Sequence, residues 1–416
     1  MSNLLYYLNK MYQEFDDATL VETFSEKFGV KVQIEEHKDY SLYQFKYNMI
    51  EAKWSFPLVH ECRGCILKFQ DKKWEFKARP FDKFFNVGEG WCKLTERSTF
   101  DSLLSSMSFV EKADGTCIIL WFNEHWRVST LGKMNTTTTN VNGSNTYETL
   151  FYKTLLFTPE VNKKAEFLDH LDRDHTYIFE LAAKENAIIT QYNEDKVYLL
   201  GIRHNEKGFL MPQYTIDNFV EDMLNRFDLN INLNLPKKVL PHEYGITDLD
   251  SAREWVNGEG RVLLEKYKIV NPEGYVVYSG PYPVGKMKNA SYLMLHTQFS
   301  GNDAHCLNSL IDNVFNETID DVYEQLSDRN KLFVDKVKER VQYFKDDIMN
   351  VMKEVRTTYF ETRKEYALFI QSRANPRLQG FFFEYYKEKD NIRSVPDFLW
   401  DWIKKNYTKH MDMWKD

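Results

Sequence analysis

No apolar run in the chain reaches membrane-spanning length. The opening MSNLLYYLNKMYQEF carries an acid and lacks a small-residue cleavage pattern, so neither membrane insertion nor export is expected. Cysteine is scarce and irregular: five residues, at positions 62, 65, 92, 117 and 306. An odd number without a framework excludes a disulfide-stapled fold and reads as reduced thiols in a cytoplasm-like compartment. Cys62 and Cys65 have the spacing of half a zinc site, but no second CxxC or CxxH follows nearby, so no structural zinc is expected. Positive charge is not in excess either. A formal charge of -8 excludes a uniformly basic coat, although a basic cleft can hold phosphate on an acidic protein. Glycine-rich phosphate loops of the Walker and dinucleotide types are also missing, so a phosphate-using enzyme needs another device.

What the chain does have is length and aromatic bulk. Its 416 residues suffice for one large domain and a smaller one. Aromatics at 15% exclude a low-complexity reading; they mean core first and stacking surfaces for bases second. Residues 1 to 30 read as helical, with Leu4, Leu5, Leu8, Met11 and Phe15 on one side and a stop at Gly29. From 31 to about 130 the pattern changes to short strands: KVQIEEH, SLYQFKYNMI, CILKFQ, KWEFKA, SFVEK, TCIILWF and RVST. A hairpin is expected at the DKK turn between CILKFQ and KWEFKA. NTTTTNVNGSN at 135 to 145 reads as a surface loop. A helix precedes YIFELAA, after which AIITQY and KVYLLGIRH read as a strand pair. Residues 214 to 268 read as helical and loop-like, broken by Pro236 and Pro241, an insertion or lid. Strand signal returns in GYVVYSGPYPVGKMKNASY. Beyond about 295, Phe333, Val337, Val341, Phe344, Ile348 and Val351 recur at steps of four and three, which predicts one long amphipathic helix in a helical region. Hairpins instead of crossover helices argue against a doubly wound nucleotide fold.

The stretch EKADGTCIIL, 111 to 120, places Lys112 where SFVEK ends and ADG turns, which predicts an amine and the Asp114 carboxylate at a hairpin mouth. Alone, that pattern is an ordinary solvated lysine. An amine that could shed its proton would instead attack phosphorus. PEGYVVY places Glu273 at a strand entrance, and VGKMKN places Lys286 and Lys288 on one strand face with Met287 on the other. YIFELAA puts Glu180 between apolar neighbours, where an uncompensated carboxylate is costly. Together they read as a cationic phosphate site with two acids suited to a divalent metal or to ribose.

KADG at 112 to 115, FE at 179 and 180, EGYVV at 273 to 277 and KMK at 286 to 288 resemble motifs I, III, IV and V of the covalent nucleotidyltransferases. HECRGCILKF at 60 to 69, RPFDKFFNVGE at 79 to 89 and FKYNM at 45 to 49 narrow the resemblance to the ATP-dependent RNA ligase 1 family, typified by the tRNA-repair ligase of T-even bacteriophages. The resemblance covers about residues 30 to 300. It implies an α+β fold: a nucleotidyltransferase (adenylyltransferase) domain over 1–295 and a mainly α-helical C-terminal domain over 296–416, the natural place for RNA recognition. It implies that Lys112 becomes adenylated, that Tyr47, Arg63 and Lys83 belong to the ATP site, and that Lys286 and Lys288 hold phosphate. Glu180 then sits near the adenosine or a metal, Glu273 binds a divalent metal, and Asp114 and Gly115 complete the first motif. Tyr292 matches a family aromatic, and Asp320 stands where an acid that binds metal is expected. Glu111 has no part in this scheme.

The implied cofactors are ATP and Mg2+, with Mn2+ as a substitute. The implied substrate is RNA with 3'-hydroxyl and 5'-phosphate ends, in the first place tRNA cut in its anticodon loop, prepared by a separate end-healing enzyme in the cytoplasm of a phage-infected cell. The oligomeric state is not legible. One departure stands out: the family has a lysine before the glycine in the segment matching RVSTLGKM, where this chain has Leu131, with Arg127 and Lys133 as nearby basic residues. A DNA ligase or an mRNA guanylyltransferase would carry an OB-fold module after motif V, where this chain reads as helical. A nucleic-acid-binding relative without catalysis is the reading from another class.

Overall fold

The computed structural model describes residues 2–49, 51–138, 141, 145–157, 161–186, 190–293, 307–316, 319, 323, 328–387 and 395–415. The chain forms two compact units. The first comprises Met1–Gln13, Val32–Tyr47 and Trp54–His296, the second Glu14–Lys31, Asn48–Lys53 and Thr297–Asp416. The second unit thus takes two short segments from ahead of residue 54.

The early strands are β1 (Val30–Glu36), β2 (Ser41–Tyr47), β3 (Arg63–Gln70) and β4 (Lys73–Ala78), which form one antiparallel sheet in that order. The hairpin at the DKK turn is present: Asp71 and Lys72 both take positive φ, the turn whose twist matches its flanking strands. There follow β5 (Met107–Glu111), β6 (Thr116–Asn123), β7 (His125–Thr130), β8 (His175–Ala182), β9 (Gln191–Tyr192) and β10 (Lys196–His204). The last are β11 (Leu233–Asn234), β12 (Lys238–Val239), β13 (Ile269–Val270), β14 (Gly274–Ser279) and β15 (Tyr282–Lys288). They make a five-stranded sheet, β11-β10-β8-β6-β7, and a four-stranded sheet, β12-β5-β14-β15.

Two expectations are corrected here. SFVEK and TCIILWF do not pair as a hairpin: β5 pairs with β14 and β12, β6 with β8 and β7. Lys112 therefore lies at a crossing between sheets, not at a hairpin mouth. Nor do Gln191 and Tyr192, at the end of AIITQY, pair with KVYLLGIRH: they pair with Val270 and Ile269 while β10 pairs with β8, and residues 187–189 lie outside the described residues. The segment 214–268 is mostly helical, yet it also supplies β11 and β12, which extend both sheets, so it is built into the fold.

Strand period positions the side chains that matter. On β8, Tyr177, Phe179 and Leu181 enter a core covered by the helices Tyr147–Leu156, Val161–Asp169 and Gln213–Arg226. Glu180 consequently shares the other face with Ile178 and Ala182. On β5, Met107 and Phe109 pack into a second core with Phe100, Trp255 and Leu264, and Val110 faces the opposite way.

In the second unit, the helix Asp17–Thr23 runs into a π-turn that ends at Gly29 in the left-handed conformation. The helix Asp328–Thr357 has thirty residues, with Val334, Val337, Val341, Phe344, Ile348 and Val351 buried along one stripe. Glu51 pairs with Lys345 of this helix, and Phe315 packs among Trp400, Tyr407 and Trp414.

Candidate active site

The crossing from β5 to β6 is four residues long and tied down on each side. The Lys112 N–H donates to the Gly274 carbonyl at 2.9 Å. The Asp114 carboxylate accepts the Thr190 N–H at 3.0 Å, and the Asp114 N–H donates to the Tyr192 hydroxyl at 2.9 Å. Gly115 then passes so close to β8 that a Cβ would stand 2.2 Å from the Leu181 carbonyl oxygen, which only glycine permits. Gly274, just after Glu273, has φ of 138°, and a Cβ there would meet the Met287 carbonyl at 2.2 Å.

These constraints bring one acid between two amines. Glu273 Oε2 lies 2.6 Å from Lys112 Nζ, and Glu273 Oε1 lies 2.8 Å from Lys288 Nζ. Glu273 and Lys288 are each 4% exposed, whereas Lys112 keeps 22% of its side chain accessible. Register explains the meeting, because Gly274 pairs with Lys288 and the next pair turns Met287 into the core. Burial makes the arrangement strict: a charge at 4% exposure needs its partner.

Lys112 faces a cavity of about 130 Å³. Its wall takes Tyr47 from β2, Arg63 from β3, Lys83 and Phe84 from the following segment, Cys117 from β6, Glu180 from β8, and Tyr278 and Lys286 from the β14–β15 hairpin. Arg63 Nη1 is buried without an acceptor from the protein, and the guanidinium sits over the Phe84 ring at 5.3 Å. A buried donor of that kind is a place for an oxygen brought in by a ligand. Burial pushes the Glu180 carboxyl up to about 8; Lys112 opposes this, while Glu273 and Asp114 raise it further. The Cys117 thiol is pushed up to about 12, also by burial, so it is neutral and unreactive.

A divalent cation suits this donor set in part. Glu180 and Glu273 are hard oxygen donors, and a cation would relieve the cost of ionising Glu180. Among the described residues no group of three or more His, Cys, Asp or Glu could hold a metal unaided, so phosphate and water oxygens must complete any shell.

Of the residues singled out in the sequence, the cavity gathers Tyr47, Arg63, Lys83, Lys112, Glu180 and Lys286, with Glu273 bound to both Lys112 and Lys288 as described. Asp114 and Gly115 act in the turn instead. Tyr292 is buried, with the Lys288 ammonium 5.3 Å from its ring centre. Asp320 lies outside the described residues. The basic residues near Leu131 do not reach the cavity. Arg127 is paired with Glu35 at 2.6 Å and stacks on Trp121, Lys133 is exposed, and Leu131 packs against the Leu42, Ile66 and Trp121 cluster. An ammonium from another strand lies beside that turn, that of Lys46: a Cβ built on Gly132 would lie 3.4 Å from its Nζ.

Sequence reasoning missed Glu111. It is 4% exposed, accepts the Lys237 N–H at 3.0 Å, and burial raises its carboxyl above the usual range. The signal was its place two residues after Phe109, on the same buried face. It also missed Trp54, whose ring meets those of Tyr47 and Phe85 at 4.9 and 5.2 Å.

The pattern that defines the RNA ligase family matches residues 61–294, more than half of the chain and every residue of the Lys112, Glu180, Glu273 and Lys288 constellation. The chain belongs to the RNA ligase family. It is 31% identical over 288 residues to the RNA ligase of Rhodothermus phage RM378, covering 61% of this chain and 64% of that one. It is 29% identical over 283 residues to a putative bifunctional polynucleotide kinase/RNA ligase of Autographa californica nuclear polyhedrosis virus, covering 66% and 36%. The matches thus span less than two thirds of either curated relative. Among solved structures, an archaeal ATP-dependent RNA ligase (form 2) aligns over 85% of each chain with 12% identity and a TM-score of 0.44, a loose likeness that carries no functional argument.

Proposed function

We propose that this chain is an ATP-dependent RNA ligase that joins 3'-hydroxyl and 5'-phosphate RNA ends through lysyl-AMP and RNA-adenylate. The observation that carries the reading is the Lys112–Glu273–Lys288 arrangement at a cavity edged by Arg63, Lys83 and Lys286. It presents one accessible amine amid several cations, the electrostatics that phosphoryl transfer needs.

In the first step the Lys112 nitrogen attacks the α-phosphorus of ATP, a P–N bond forms, and the bond to the departing pyrophosphate breaks. The amine sheds its proton as this happens, and the Glu273 carboxylate at 2.6 Å stands ready to accept it. Arg63, Lys83 and Lys286 hold the phosphate oxygens on which charge builds. Next a 5'-phosphate oxygen of RNA attacks the same phosphorus, releasing the lysine. Finally a 3'-hydroxyl attacks the RNA phosphorus, loses its proton and expels AMP. When bound beside Glu180 and Glu273, a divalent ion, Mg2+ or Mn2+, supplies charge neutralisation for the phosphates.

The substrate reading is tRNA broken in its anticodon loop, in the cytoplasm of a phage-infected cell. The phage relative supports that setting, and the kinase joined to a ligase in the name of the baculovirus relative supports an accompanying end-healing activity. Single-stranded ends offer phosphate for the cations and bases for the aromatics.

The test is incubation with α-labelled ATP or GTP, with and without Mg2+ or Mn2+, then denaturing electrophoresis. Covalent AMP that pyrophosphate reverses and that Lys112→Ala abolishes is expected. Selective GMP labelling rejects the reading. Sealing assays on anticodon-cut, nicked and single-stranded RNA and on nicked DNA then rank substrates; preference for nicked DNA overturns the RNA assignment.

A further inference from the structure

The Lys83 ammonium sits inside a box of rings. Its Nζ lies 5.2 Å from the Tyr47 ring centre, 5.3 Å from that of Trp54 and 5.1 Å from that of Phe85. Trp54 is the piece that joins the box together. It stands edge-on to Tyr47, Phe85 and His60, at interplanar angles of 68°, 86° and 89°. The backbone closes the same unit: His60 Nε2 is 2.8 Å from the Trp54 carbonyl, and the Lys83 N–H donates to the His60 carbonyl at 2.8 Å. Of these residues only Tyr47 and Lys83 line the cavity, so Trp54 does not face the nucleotide site itself.

A lysine is a flexible point charge on a four-carbon stem. Lys83 shares its cavity with Arg63, Lys112 and Lys286, whose like charge drives the ammonium outward. Negative ring faces oppose that drift and hold the ammonium at the wall.

We infer that Trp54 is a positioning residue that holds the Lys83 ammonium at the cavity wall for the triphosphate of ATP. This rests on the ligase reading above. Its consequence is selective: formation of lysyl-AMP depends on Trp54, and sealing of RNA that already carries AMP, where no triphosphate is handled, does not.

The experiment uses the full chain with tryptophan at position 54 replaced, by site-specific incorporation, with analogues carrying one to four ring fluorines. These weaken the ring face while keeping shape and packing. Trp54→Phe and Trp54→Leu are made alongside, each also in a Lys83→Met background. The readouts are KM for ATP and maximal rate of lysyl-AMP formation, the rate of sealing pre-adenylylated RNA, and the thermal midpoint. A KM that climbs with each fluorine, to roughly tenfold, with unchanged sealing and midpoint, supports the inference, as does a Trp54→Leu effect that vanishes in the Lys83→Met background. A flat fluorine series, equal loss in both steps, or a Trp54→Leu effect that persists without Lys83 overturns it. Wild-type protein that forms no lysyl-AMP removes the ligase reading itself; wild-type labelling with a flat fluorine series removes only the role of Trp54.

Discussion

Glu273 Oε2 lies 2.6 Å from Lys112 Nζ across 161 residues of sequence, and the same carboxylate is shared with Lys288. Replacing Glu273 with Gln should therefore do two separable things. Lys288, buried at 4% exposure, loses its counter-charge, and breaking a buried pair from one side costs on the order of 3 kcal/mol. Denaturant unfolding should show that loss, with much of it recovered when Lys288→Met is added. Labelling by AMP should fall in both proteins, since Lys112 has lost its acceptor; full labelling in the refolded double variant would falsify the role given to Glu273.

Glu180 gives a pH dependence whose sign is fixed. Its carboxyl titrates near 8 in the fold against an ordinary 4.5, raised chiefly by burial. Between those values the folded chain holds a proton that the unfolded chain has released, so this group's stabilising contribution is complete below about 4.5 and is lost as pH rises through about 8. Unfolding of the ligand-free protein should show stability declining over that window. In Glu180→Gln the decline should shrink. Mn2+ should flatten it too if the ion binds the ionised carboxylate, and identical slopes for wild type and variant would remove Glu180 as the source.

Much of this site was legible because strand period is legible. The alternation in GYVVY and VGKMK fixes which face carries Lys286 and Lys288, and Tyr177, Phe179 and Leu181 leave Glu180 on the other face. What was not legible was pairing. A four-residue KADG crossing looks the same whether its strands join each other or different sheets, and here a partner of β5 comes from residues 274–279. Leu131 shows the same limit: its neighbours Arg127 and Lys133 are close in sequence, yet Lys46 from another strand also places an amine beside that turn. Glu111 was read as dispensable because its contacts, Lys237 and the tyrosines around it, lie far along the chain.

That burial makes Glu111 testable. Glu111→Gln keeps an oxygen for the Lys237 N–H and removes the charge, whose burial is already unfavourable, so stability should change by less than about 1 kcal/mol near neutral pH. Glu111→Ala leaves the part-buried Lys237 N–H unpaired and a void beside Tyr198, which should cost about 2 kcal/mol. Chemical denaturation measures both. An alanine variant as stable as wild type would mean that the β5 end does not depend on this side chain.

The turn after Lys112 supplies the sharpest steric test. A methyl group at Gly115 would lie 2.2 Å from the Leu181 oxygen and 2.9 Å from its carbonyl carbon, and both obstacles are backbone of the central strand β8. Neither can rotate away, so Gly115→Ala must separate the crossing from the sheet, at roughly 3 kcal/mol. Because Asp114 in the same turn is pinned to Thr190 and Tyr192, the shift should carry Lys112 away from Glu273. Lysyl-AMP formation should fall together with the thermal midpoint, whereas Gly90→Ala, with nothing within 4 Å of its new methyl, should stay within about 0.5 kcal/mol of wild type and label normally. If Gly115→Ala labelled as fast as Gly90→Ala, the close approach to β8 would not be what holds Lys112 in place.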